Sequence, residues 1–219
     1  MQNNPHIRVS SPLFFFTICL VCCFEILGGL IYQSFHVAPI LLTGLVRISE
    51  TIVIFTYIYR MEGHWRSIGW HQINSGMYYG CIWSLAFGII VFILFFLCEY
   101  LFQINLFRMV RMPLPESYVD QINYFIVGCL IGPFTEEVVF RGVVYGFFRK
   151  WGIVLACCFS TCIFVLLHHQ APVIPFTQIV GGILFAVSYE YTHMLSTSVT
   201  IHIIGNSSML LLSYFPINL

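Results

Sequence analysis

The chain has 219 residues, 59% hydrophobic, 17% aromatic and only 8% charged, with nine Lys+Arg against nine Asp+Glu and a net charge of zero. That composition excludes an ordinary soluble domain and fits a polytopic membrane protein. No basic face suggests a nucleic-acid partner. The nine Cys, including Cys22-Cys23 and Cys157-Cys158, fall almost wholly in apolar runs, where they read as small packing residues, and the odd count agrees. Cys19 and Cys22 have redox spacing but lack a thioredoxin-like context.

Taken in order, residues 1 to 10 are polar, with Arg8 the only firm charge. A first span runs from Ser11 to Tyr32, too long for a signal-peptide core, and is interrupted by Glu25. The second, Val37 to Tyr59, holds Arg47 and Glu50 three apart, spaced to neutralise each other on one helix face. A polar loop leads to a third span, Gly76 to Leu101, and a loop with Arg108 and Arg111 leads to the fourth, Gln121 to Phe148. The fifth, sixth and seventh are Gly152 to His168, Val173 to Tyr191 and Ser196 to Tyr214. The expected fold is an all-α transmembrane bundle of about seven spans, three without a motif in residues 1–120 and a four-helix core in 121–219. An N-terminus in the cytoplasm puts Arg8, Arg60, Arg66, Arg149 and Lys150 inside against Arg108 and Arg111 outside, which favours N-in. Gly128-x-x-x-Gly132 and Gly142-x-x-x-Gly146 are spaced to let neighbouring helices approach.

The fourth span carries the costly feature. In Gly132-Pro133-Phe134-Thr135-Glu136-Glu137-Val138-Val139-Phe140-Arg141 two carboxylates and a guanidinium sit in an apolar run. Each charge at a membrane centre costs roughly 2.5–3.5 kcal/mol, so each needs a partner or a job. Glu137 and Arg141 are four apart and share a face, which predicts a charge-assisted bond. Glu136, about 100° round the helix, is left free. Pro133 predicts a kink or a fresh helix start just before the pair.

Two later stretches add polar groups: Phe164-x-x-x-His168, followed by His169, and His202-x-x-x-Asn206. His202 and Asn206 project from one face and can present two donors together. At about 1.5 Å per residue, Glu136, His168, His202 and Asn206 fall in one layer of the bilayer if the spans alternate. A carboxylate and an imidazole able to share a proton, with an imidazole and an amide able to donate to an oxyanion, are what peptide hydrolysis by activated water requires. No Ser or Cys is paired with a base, so no covalent nucleophile is expected.

Glu136-Glu137-x-x-x-Arg141, Phe164-x-x-x-His168 and His202-x-x-x-Asn206 resemble the three ordered motifs of the CAAX protease and bacteriocin-processing (CPBP, Abi) family of intramembrane proteases. The resemblance runs from about Gly128 to Leu212 and leaves the first hundred residues unmatched. It implies that Glu136 and His168 activate water, that His202 and Asn206 form the oxyanion site, and that Glu137 and Arg141 hold the site together. The family includes enzymes described as metalloproteases and as glutamate proteases. Metal-independent glutamate chemistry is expected here and no cofactor; Glu136, His168 and His202 are zinc-ligand types, but no His-Glu-x-x-His pair is present.

Single motifs have plainer readings: a Glu–Arg pair can be structural glue and a His with Asn an interhelical hydrogen bond. Phe140 and Phe164 are the candidate substrate contacts, with packing around the site the simpler reading of each. His169 reads as a span-end residue, and Glu25, Glu99 and Glu190 carry no assigned role. A proton-coupled transporter would show inverted repeats, and none is visible; a non-catalytic scaffold or immunity protein has no need of acid, base and donors together. The expected partners are the lipid bilayer and a peptide or protein substrate, lipidated or not: a prenylated C-terminus, a peptide precursor or a C-terminal sorting tail. A prokaryotic cytoplasmic membrane is the expected location.

Overall fold

The computed structural model of the chain describes residues 9–35, 37–168 and 175–215. The readings placed on Arg8, on His169 and on the start of the sixth span at Val173 lie outside these residues. Among the described residues every regular element is helical. Seven long helices follow one another: α1 (Ser11–Phe35), α2 (Pro39–Glu62), α3 (Ile73–Phe102), α4 (Tyr118–Trp151), α5 (Ile153–His168), α6 (Phe176–Thr192) and α7 (Leu195–Tyr214). They match the seven expected spans to within a few residues. Over the described residues, five are long and apolar enough to cross a membrane, while α5 and α6 have 16 and 17 residues. At about 1.5 Å per residue these two reach about 25 Å, short of a ~30 Å hydrocarbon core.

Helix α4 is the axis of the bundle, in contact with α1, α2, α5, α6 and α7. Residues from Val138 to Phe147 are all buried, which explains how a polar stretch is tolerated there: it faces protein rather than lipid. The helix continues through Pro133 rather than starting afresh there. Ile131 (φ −68°, ψ −49°) and Gly132 (φ −56°, ψ −59°) stay in the right-handed helical region. What changes is the register, which widens to π turns over Phe125–Ile131 and again over Val138–Tyr145. The wider turn upstream gives the proline ring room without ending the helix.

Helix α3 has the opposite character, 30 residues of which only Gly76 and Gly80 are buried. A Cβ at Gly76 would lie 1.9 Å from Ser196 Oγ, and one at Gly80 would lie 2.5 Å from Thr200 Cβ. The close helix approach is therefore made by Gly76-x-x-x-Gly80 against α7. The expected pair at Gly128 and Gly132 does not serve this purpose: the nearest atoms to a Cβ there belong to Tyr124, Val127 and Glu136 of α4 itself. Gly142 packs instead on Ile68 in the short turn Arg66–Ile68.

Three ion pairs pin the ends and flanks. Glu190, without a role in the sequence reading, accepts from Arg149 (2.8 and 2.9 Å) and from the Tyr145 hydroxyl (2.7 Å), tying the end of α4 to α6. Arg47 of α2 pairs with Glu50 (2.8 Å) as its spacing predicts, and with Glu25 of α1 (2.6 Å).

Candidate active site

Glu137 and Arg141 form the base of the site. Their side chains are fully buried, and Arg141 Nη1 donates to Glu137 Oε1 at 2.8 Å. The other terminal nitrogen, Nη2, donates to the Gly182 carbonyl of α6 at 3.1 Å. The guanidinium lies 4.8 Å from the Phe164 ring centre and 5.0 Å from that of Phe185, within reach of cation–π attraction on both. One Arg thus joins α4, α5 and α6.

Glu137 also orients His202 of α7, whose Nδ1 lies 2.8 Å from the same Oε1. A carboxylate can only accept, so Nδ1 carries the hydrogen. The ring is further fixed by stacking on Phe185, 4.4 Å between centres at 21°. His168 is held alike, with Nδ1 2.8 Å from the Phe164 carbonyl of its own helix. Each histidine therefore turns Nε2 outward from its anchor, and both point to one group. Glu136 Oε1 lies 3.6 Å from His168 Nε2, and Glu136 Oε2 lies 3.7 Å from His202 Nε2. These separations are longer than direct hydrogen bonds and within ion-pair reach of a protonated imidazole.

The carboxylate between them is held from behind. Thr135, its neighbour, donates or accepts at 2.8 Å with Thr51 Oγ1 and lies within hydrogen-bond reach of the Arg47 carbonyl of α2 (3.1 Å). Glu136 keeps 18% of its side chain exposed whereas Glu137 keeps none, so the two adjacent carboxylates have separate environments.

Of the residues singled out in the sequence, Glu136, Glu137, Arg141, His168 and His202 come together. Asn206, one turn beyond His202 on α7, donates one Nδ2 hydrogen to the Gly128 carbonyl of α4 at 2.9 Å. Phe140 and Phe164 are 5% and 3% exposed and pack against each other at 5.2 Å. Both rings pack beside Arg141, as the simpler sequence reading of each has it. Three participants were missed: Phe185, Gly182 and Thr135. Glycines at 181–182 and the Thr beside Glu136 were visible, but nothing local marks Phe185 among 22 phenylalanines. Among the described residues no three His, Cys, Asp or Glu side chains form a group able to hold a metal ion.

The comparisons with known proteins fall on this same segment. Residues 118–208 match the family model described as type II CAAX prenyl endopeptidase, Rce1-like. The segment that carries the site is thus similar to Rce1-like CAAX prenyl endopeptidases, and the chain is an integral membrane protein. Over 84 residues it is 32% identical to the membrane-embedded CAAX protease MroQ of Staphylococcus aureus (strain USA300), covering 35% of this chain and 34% of that protein. The chain therefore spans about a third of the length of the curated relative it matches. No solved structure gives a significant match.

Proposed function

We propose that the chain is an intramembrane endopeptidase that hydrolyses a peptide bond of a membrane-associated peptide or protein with water activated by Glu136 and His168. The observation that carries this reading is the convergence of two imidazole Nε2 atoms on one partly open carboxylate, at 3.6 and 3.7 Å, inside an apolar bundle. A water bonded to Glu136 and His168 loses a proton to the pair as it attacks the carbonyl carbon, and the same proton reaches the leaving amine. His202, held by Glu137, and the remaining N–H of Asn206 face the oxyanion that forms. Glu137 and Arg141 are positioning residues.

The reaction we propose is metal-independent. Its substrate is a CAAX-type terminus, a peptide precursor or a C-terminal sorting tail. We place the catalytic core in residues 121–219, with 1–120 as a separate group of spans, in a prokaryotic cytoplasmic membrane with the N-terminus inside. The test is to add the purified full chain, reconstituted in vesicles, to membranes from cells that lack it. New peptide termini formed by wild type and absent with Glu136→Gln support the proposal, and identical termini with both contradict it.

A further inference from the structure

The charged groups of α1 and α2 lie outside the matched segment and take no part in the hydrolysis proposed above. Their arrangement is nonetheless specific. Arg47 offers one terminal nitrogen to each of two carboxylates of opposite character. Nη1 bonds Glu50, whose side chain is fully buried, and Nη2 bonds Glu25, whose side chain is 52% exposed. A half-exposed carboxylate in the middle of a 25-residue apolar helix is costly in lipid, so its place there asks for a function beyond packing. This part of α2 packs beside the Glu136 centre: Thr135, the residue before Glu136, lies 3.1 Å from the Arg47 carbonyl and 2.8 Å from Thr51 Oγ1, one turn further along α2.

We propose that Arg47 is the anchor of a carboxylate-binding subsite beside Glu136, occupied by Glu25 until a carboxylate of the peptide substrate displaces it. The proposal rests on the reading of the Glu136 centre as a peptidase site. Glu50 is the fixed partner that holds the guanidinium in place, and Glu25 is the exchangeable one. Exchange is one carboxylate for another, so the charge on Arg47 stays balanced while Glu25 swings out toward the side on which it is already half exposed. A guanidinium suits this task because its planar fork serves two carboxylates at once. The incoming group is either the C-terminal carboxylate of the peptide or an Asp or Glu side chain near the scissile bond.

The probes are three octapeptides of Leu, Ala and Val carrying an uncharged BODIPY fluorophore on the N-terminus: one with a free C-terminus, one amidated, and one amidated with Asp at the penultimate position. Their binding to the detergent-solubilised full chain is read by fluorescence anisotropy, in a Glu136→Gln background that leaves the peptides intact. At least one carboxylate-bearing peptide should bind about tenfold or more tightly than the neutral amide, the scale of a hydrogen bond to a charged group. Preference for the free C-terminus alone identifies the terminus as ligand, and preference for the Asp peptide alone identifies a side chain. Glu25→Gln should tighten the carboxylate peptides and leave the neutral amide unchanged, which a purely structural role for Glu25 does not do. Arg47→Gln combined with Glu50→Gln, which leaves no buried charge unpaired, should abolish the preference. Equal affinity for all three peptides, binding of none, or no gain in Glu25→Gln overturns the subsite. Hydrolysis itself is read separately from the termini lost with Glu136→Gln, so the two readings can fail independently.

Discussion

Replacing Arg141 by Ala is the most severe single test of how the site is held. The guanidinium is fully buried, bonds Glu137 Oε1 at 2.8 Å and the Gly182 carbonyl at 3.1 Å, and lies between the rings of Phe164 and Phe185. Removing one partner of a buried ion pair costs about 3–5 kcal/mol because the other charge is left uncompensated. His202 still bonds Glu137, which places the pair loss near the bottom of that range, about 3 kcal/mol. Loss of the two ring contacts adds about 1 kcal/mol. For a chain of this size a loss of about 4 kcal/mol lowers Tm by about 8–16 °C. The assay is tryptophan fluorescence during heating of the detergent-purified protein. Arg141→Lys should fall between the two, since it keeps the charge but not the fork. The double variant Glu137→Gln with Arg141→Met should unfold above Arg141→Ala, because no buried charge is then left alone. A Tm of Arg141→Ala within about 2 °C of wild type refutes the account of the pair.

Three further outcomes follow from the geometry. Gly182→Val should cost about 1–3 kcal/mol in thermal stability and lower activity together, because the new Cβ would lie 2.8 Å from Thr161 Cγ2 beside the carbonyl that Arg141 uses. Gly76→Leu should push α3 away from α7, read as a lost crosslink between cysteines introduced on the two helices, since even a Cβ falls 1.9 Å from Ser196 Oγ. Treating the purified protein with a zinc chelator should leave peptide cleavage unchanged; loss of cleavage restored by added zinc would contradict the metal-independent mechanism.

What could be read from the sequence was the part fixed by spacing along one helix. The four-residue step from Glu137 to Arg141 and the three-residue step from Arg47 to Glu50 both appear as bonds. Depth counting also brought Glu136, His168 and His202 to one layer. Contacts decided by which helices become neighbours were out of reach. Glu25 meets Arg47 only because α1 packs on α2, and Phe185 stacks on His202 only because α6 packs on α7. Asn206 shares a helix with His202 and yet bonds Gly128, since α4 offers a free carbonyl in its π-turn segment. At Pro133 the sequence shows the missing N–H but not the change of register that absorbs it. Glycine spacing misled for the converse reason, as Gly76-x-x-x-Gly80 and Gly128-x-x-x-Gly132 look alike until a neighbouring helix is present.

The central claim is that Glu136 activates water for peptide hydrolysis in the membrane. Its most direct test compares peptide termini, by mass spectrometry of membrane and secreted fractions, between cells carrying wild type and cells carrying Glu136→Gln at equal abundance. Gln keeps the shape of the side chain but cannot take up the proton. The account predicts at least one N- or C-terminus that forms only with wild type, with Tm of the purified variant unchanged. The same termini at the same levels in both cells would contradict it.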